Sequence, residues 1–221
     1  MRMNIIDHDL LSIQEARILA ENALEAQRTL ATFPQEKLDE IVERMAEEIS
    51  KHSKELAVMS SEETDYGNWQ DKYIKNRFAC EYLPANLKGM RCVGIIHTDQ
   101  EKQIMDVGVP MGVIVGLCPA TSPVSTTIYN ALIAIKAGNA VIFSPHPRAK
   151  QSIAKTLDIM IQAAEGYGLP EGALTYLHTV TQAGTIELMN HSATSLIMNT
   201  GVPAMLEAAY HSGKPAIYGG T

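Results

Sequence analysis

From residue 113 onward the chain alternates short apolar runs with helical stripes, and no other feature restricts its fold as much. Residues 113–118, 140–143, 174–177, 195–198 and 215–218 are apolar runs of strand length. Between them, Ile128, Ala131, Leu132 and Ile135 share one helical face, as do Ile153, Leu157, Met160, Ile161 and Ala164. Ser122 before Pro123 reads as an N-cap with proline at the first helical position, and Gly166 and Gly168 read as a helix stop. Strand and helix alternating at this spacing predict an α/β fold with a doubly wound, Rossmann-like parallel sheet of about five strands. Ligands of such sheets sit outside the carboxyl ends of the strands. The loops expected there are 119–123, 144–148, 199–203 and 219–221, all rich in Gly, Pro, Ser and Thr.

The first part of the chain reads as an N-terminal helical segment, residues 1–89. Ser12 and Glu15 have the spacing of a capping box, and Ala16, Leu19, Ala23 and Leu30 follow on one stripe. Leu38, Ile41, Val42, Met45 and Ile49 keep the same period after Pro34. A third helix is expected after Asp65, through Trp69, Tyr73 and Tyr82, whose rings are expected to pack against neighbours. Residues 90–96 and 103–109 then suggest a β-hairpin around Thr98, Asp99 and Gln100. That hairpin suits either an oligomerisation arm, which would make the protein a homo-oligomer, or an edge ribbon of the same domain. Residues 110–221 complete the division as the α/β domain.

The net charge of −7 disfavours a nucleic-acid partner, which usually needs a broad basic face. Lys136, Arg148, Lys150 and Lys155 nevertheless fall in a stretch with no acid, which suits a phosphate-bearing small ligand or an ordinary solvated helix edge. Three cysteines, Cys80, Cys92 and Cys118, form no CxxC and no even-numbered framework, which points to a reducing, cytoplasmic setting. No apolar run approaches the roughly 20 residues of a membrane span, and no histidine pair has metal-ligand spacing. Neither membrane nor metal is expected.

No GxGxxG fingerprint and no P-loop is present; Gly166, Gly168 and Gly172 have the wrong spacing and follow a helix. What remains is a longer pattern. It comprises Val109-Pro110-Met111-Gly112-Val113-Ile114-Val115-Gly116, Pro119-Ala120-Thr121-Ser122-Pro123, and Phe143-Ser144-Pro145-His146-Pro147-Arg148-Ala149-Lys150. Together with Gly138-Asn139-Ala140-Val141-Ile142 before Phe143, Lys75-Asn76-Arg77-Phe78-Ala79, and the stretches 199–205 and 208–216, it resembles the CoA-acylating branch of the aldehyde dehydrogenase superfamily. The resemblance implies NAD as cofactor and coenzyme A as co-substrate, with acetaldehyde the default aldehyde. It implies that Pro119, Ala120, Thr121 and Ser122 lie beside the nicotinamide and the reacting carbonyl. Ser144, Pro145, His146 and Arg148 would stand near the adenosine and phosphates, and Thr200 and Gly201 at the loop after a later strand. Arg148 and Lys150 are expected at the start of a helix, where backbone N–H groups favour anions.

The sequence departs from the branch at Ser122, where asparagine is usual, and at Val202 and Ala204, where glycine is usual. Ala216-Ile217-Tyr218-Gly219-Gly220 lacks the glutamate that hydrolytic relatives carry before their glycine pair. Water needs such a general base, whereas the CoA thiol is far more nucleophilic through its thiolate, so acyl transfer to CoA is expected. The nucleophilic cysteine of the family mechanism belongs to a second domain, so the resemblance implies a cofactor-binding fragment with no catalytic residue among these 221. Cys118 is expected to be a buried structural thiol. The alternative is a non-catalytic protein that keeps the fold for assembly or binding.

Overall fold

The computed structural model describes residues 7–219, so Gly220 and Thr221 of the expected 219–221 loop lie outside the described residues. The sheet is built from β3 (Val113–Leu117), β4 (Ala140–Ser144), β5 (Leu174–Tyr176), β6 (Thr194–Thr200) and β7 (Ala216–Gly219). All neighbours are parallel, in the order β5-β4-β3-β6-β7. Every residue of β3 and β4 is buried, as a parallel sheet covered on both faces requires. Gly116 sits directly beside Phe143 in the register. A Cβ at Gly116 would stand 2.9 Å from the Phe143 ring, so only hydrogen fits there.

Helices α6 (Pro123–Lys136), α7 (Lys150–Gly166), α8 (Gln182–Asn190) and α9 (Leu206–His211) connect the strands. Right-handed crossovers put α6 and α7 on one face and α8 and α9 on the other. The N-terminal helices complete both layers. Helix α1 (His8–Leu30) packs on α8 and β4, while α2 (Gln35–Lys51) packs on α6 and α7. Helix α3 (Ser53–Thr64) packs on α7 and on α4 (Trp69–Arg77). Of the expected stripe residues, Ala16, Ala23, Leu30, Leu38, Ile41, Val42, Met45 and Ile49 are buried in the same core as the sheet, and Leu19 packs against it half-buried.

Several local expectations are corrected. Asp7, not Ser12, caps α1, accepting from the N–H groups of Asp9 and Leu10. Ser12 lies inside the helix and donates to the Thr179 carbonyl at 2.5 Å. Glu15 accepts from the backbone of His178 at 2.7 Å and of Thr179 at 2.8 Å. The pair that looked like a cap is therefore a tertiary contact. Helix α3 carries no apolar stripe to reveal it, because its buried face is Ser53, Leu56, Ala57, Ser60 and Thr64. It ends at Asp65, which adopts a left-handed conformation with φ of 55°.

The aromatic helix after Asp65 starts at Trp69, widens to a π-helix over Phe78–Tyr82 and closes as α5 (Leu83–Leu87). Phe78 and Tyr82 stack at 5.7 Å but both remain exposed, so Tyr82 does not join the core as expected. The hairpin forms from β1 (Gly94–Asp99) and β2 (Ile104–Gly108), starting later than the apolar run at residue 90. Residues 92 and 93 instead give their N–H groups to the Gln35 side chain, at 2.6 and 3.1 Å.

Burial alone would raise the Glu15 carboxyl, but the His178 and Thr179 N–H groups and the His178 ring outweigh it and hold it below its ordinary 4.5. A depressed folded value means that this contribution is complete above 4.5 and disappears as pH falls through the lower folded value. Glu15→Ala is expected to lower stability by about 1–2 kcal/mol near neutral pH, measured by urea unfolding, with the difference from wild type shrinking below about pH 4.

Candidate functional site at the strand carboxyl ends

The strand order reverses between β3 and β6, so the crevice at their carboxyl ends is the topological switch point. Two loops meet there. Gly201, at φ of 61°, brings its backbone so close to Pro119 that a Cβ would stand 3.2 Å from the proline Cβ. The Asn199 side chain shapes the second loop, donating to the Val202 carbonyl at 3.0 Å and accepting its N–H at 3.2 Å. Lys72 of α4 shapes the first, donating from Nζ to the Thr121 carbonyl at 2.9 Å. This lysine is only 6% exposed. Burial, and then the neighbouring charge of Lys75, push its pKa below the usual lysine range.

Pro119 and Ala120 are buried, Thr121 is exposed and Ser122 is half-buried. Ser122 does occupy the N-cap position of α6, but its side chain makes no cap bond. The first turn of α6 thus faces the crevice without a side-chain acceptor of its own.

A cavity of about 120 Å³ opens at the carboxyl ends of β3 and β4, on the α8 side. Ser144, Pro145 and His146 line it from the end of β4, facing Thr181 and Thr185 of the α8 start and Val202 of the later loop. The Ser144 and Thr185 hydroxyls are 2.7 Å apart. His146 accepts the Arg148 N–H at its Nδ1, 3.1 Å away. Burial, and then the adjacent Arg148 charge, lower its pKa, which favours the neutral ring.

The structure does not bring Arg148 into this cavity. Its guanidinium donates to the Thr64 carbonyl at 2.8 Å and lies 5.0 Å from the centre of the Tyr66 ring. Residues 147–149 form a short 3-10 turn, and α7 begins only at Lys150. The N-terminus of α7, expected to attract a ligand anion, already holds one. The Glu63 carboxylate accepts from the Gln151 N–H at 2.7 Å, the Ser152 N–H at 2.8 Å and the Ser152 hydroxyl. Lys136 is also committed, buried and paired with Asp39 at 2.7 Å. The basic stretch from 136 to 155 therefore does not act as one patch.

A second, larger cleft of about 800 Å³ lies on the α6 face. Ile74, Phe78, Tyr129, Ile133, Met198 and Ile217 make it apolar, and Thr200 lines it rather than the small cavity. Asn130 also lines it, is only 2% exposed, and has no hydrogen-bond partner for its amide nitrogen. Cys118, beside Asn130, is fully buried and its thiol is pushed up to about 12, chiefly by burial. Cys80 is likewise pushed up to about 11 by burial. Among the described residues no group of His, Cys, Asp and Glu could hold a metal ion, and no helix is long and apolar enough to cross a membrane.

Glu63 and Lys72 carried no signal in the sequence. Each acts on backbone more than 45 residues away, Lys72 on the loop after β3 and Glu63 on the first turn of α7, and neither lies in a local motif.

The family model described as the aldehyde dehydrogenase family matches residues 4–215. A probable aldehyde dehydrogenase from Listeria monocytogenes EGD-e is 47% identical, with a TM-score of 0.93 over 96% of this chain and 47% of that one. An acetylating aldehyde dehydrogenase from Geobacillus thermoglucosidasius is 44% identical, with the same TM-score and coverage. The bifunctional aldehyde-alcohol dehydrogenase of Escherichia coli (strain K12) is 39% identical over 206 residues, 93% of this chain and 23% of that protein. The chain thus spans about half of these solved structures and under a quarter of the bifunctional relative.

The thiol environments give a direct check. In the native protein, iodoacetamide near pH 7.5 is expected to label the partly exposed Cys92 and to spare Cys80 and Cys118. Peptide mass spectrometry after labelling reads this; labelling of Cys118 at the rate of Cys92 would contradict the burial.

Proposed function

The chain belongs to the aldehyde dehydrogenase family, and from that premise we propose that it is the cofactor-binding portion of an NAD-dependent, CoA-acylating aldehyde dehydrogenase. The reaction converts aldehyde, NAD⁺ and CoA to acyl-CoA, NADH and a proton, with acetaldehyde the proposed substrate. The observation that carries this reading is the whole-chain likeness to an acetylating enzyme together with a strand-end crevice between Pro119 and Gly201. Ala216-Ile217-Tyr218-Gly219 offers no carboxylate to activate water, which favours a thiol as acyl acceptor.

The residues present fit a dinucleotide. The cavity beside Ser144, Pro145 and His146 has the apolar walls and few polar groups that suit an adenine ring. NAD, when bound, would accept the hydride. Pro119, Ala120, Thr121 and Ser122 would shape the nicotinamide end, with Lys72 fixing the Thr121 carbonyl. Thr200 and Gly201 would close the opposite side. The open first turn of α6 would meet negative charge developing on the carbonyl oxygen. Arg148 would act on this site indirectly, by holding the loop against α3.

Cys118 and Cys80 are buried thiols that do not suit nucleophilic attack on the aldehyde, and Cys92 lines neither the small cavity nor the larger cleft. The acyl-carrying cysteine would belong to the part of the relatives that this stretch does not match. We take residues 1–89, 90–109 and 110–221 as working units of a cytoplasmic enzyme. A second reading, assembly without catalysis, is favoured by the hairpin, where Ile95, Ile96, Ile104, Met105 and Val107 are all exposed. Homo-oligomerisation through it is compatible with either reading.

Titration calorimetry with NADH and with CoA separates the readings. The first expects saturable binding of both and no acetaldehyde-dependent NADH formation by these 221 residues alone. Absence of nucleotide binding in a folded sample would leave only the assembly reading, and robust turnover would refute the fragment.

A further inference from the structure

Val202, in the loop after β6, stands where glycine is usual in the branch that the sequence resembles. The structure puts this side chain in the wall of the cavity lined by Ser144, Pro145 and His146, the proposed seat of the adenine ring. That cavity measures about 120 Å³. Pockets that enclose most of a ligand begin at roughly 300 Å³. A base is therefore the most it can enclose, and the rest of a dinucleotide must lie outside it.

Val202 is not free to step aside and enlarge the space. Its N–H donates to Asn199 Oδ1 at 3.2 Å, and its carbonyl accepts from Asn199 Nδ2 at 3.0 Å and from the Met205 N–H at 3.1 Å. Asn199 itself is buried, and Gly201, one residue earlier, is pressed against Pro119. The branched valine side chain is stiff about χ1, whereas Met205 in the same wall is a flexible chain that can yield. Val202 is thus the part of the wall that sets the volume.

The hydroxyls of the cavity are already committed to other protein groups. Ser144 and Thr185 pair at 2.7 Å, Thr185 donates to the Thr181 carbonyl at 2.8 Å, and the Thr181 hydroxyl accepts the Gly184 N–H at 3.1 Å. His146 Nδ1 is taken by the Arg148 N–H. Selection among bases then falls to shape. We propose that Val202 is a specificity-determining residue that fixes the room for the nucleotide's base, so that the site admits adenine and rejects bulkier purines. This rests on the nucleotide-binding reading given above.

The test measures Kd for NAD and for etheno-NAD, whose adenine carries an additional fused ring, by calorimetry on the 221-residue protein. Wild type is expected to bind NAD at least about tenfold more tightly than etheno-NAD, the scale on which small differences in pocket volume discriminate. In Val202→Ala the ratio is expected to fall below about threefold, mainly through tighter etheno-NAD binding. Val202→Ile, which adds a methylene to the same wall, is expected to weaken NAD by at least about threefold. Binding that appears only in Val202→Ala also supports the inference. A wild-type ratio below about threefold overturns it even if neither variant folds, and so does a folded Val202→Ala with an unchanged ratio or a folded Val202→Ile with unchanged NAD affinity. Binding of neither dinucleotide by folded wild type and folded Val202→Ala removes the parent reading itself, and this inference with it; that pattern differs from equal binding of both.

Discussion

Side chains from the first 65 residues satisfy backbone groups of the α/β unit, and the rest of the arrangement depends on it. Glu15 of α1 holds the two N–H groups that follow β5. Gln35 of α2 takes the N–H groups of Cys92 and Val93 and donates to the Lys136 carbonyl at the end of α6. Glu63 of α3 caps α7. Buried or half-buried backbone donors left unpaired are costly, so these bonds add to the shared apolar core in fixing how the helical part sits on the sheet.

This interlock also explains how the crevice is held. The loop after β3 is positioned by Lys72 from one helix, and the loop after β4 by Arg148 reaching another. Neither loop is a glycine-rich turn that finds its shape unaided. Where dinucleotide sites often rely on backbone freedom, this one relies on long side chains delivered from a separate helical layer. In the crevice a glycine matters sterically at 201, where the second loop passes against Pro119.

Much of the sheet was legible because burial on both faces leaves a plain mark: unbroken apolar runs at β3 and β4, separated by helical stripes. The expected strands agree with the observed ones to within one or two residues. Local pattern failed where a polar residue served a distant partner. Ser12 and Glu15 have the spacing of a cap, yet both face the segment around Thr179. Helix α3 buries serine, threonine and alanine, which no hydrophobic period reveals. At the site, Ser144, Pro145 and His146 do converge on one cavity, whereas Arg148 and Thr200 face elsewhere. Charge counted along the sequence also misled, since Lys136 and the α7 turn are both neutralised from within.

The contact between Gly116 and Phe143 carries a consequence for how such a sheet can drift through evolution. The two positions share one volume at the centre of the fold. A methyl group appearing at 116 would have to follow, not precede, a smaller residue at 143, because the ring has no room to retreat between two covered faces. Compensating exchanges at this pair should therefore run in one order only, and the glycine should outlast most of its neighbours.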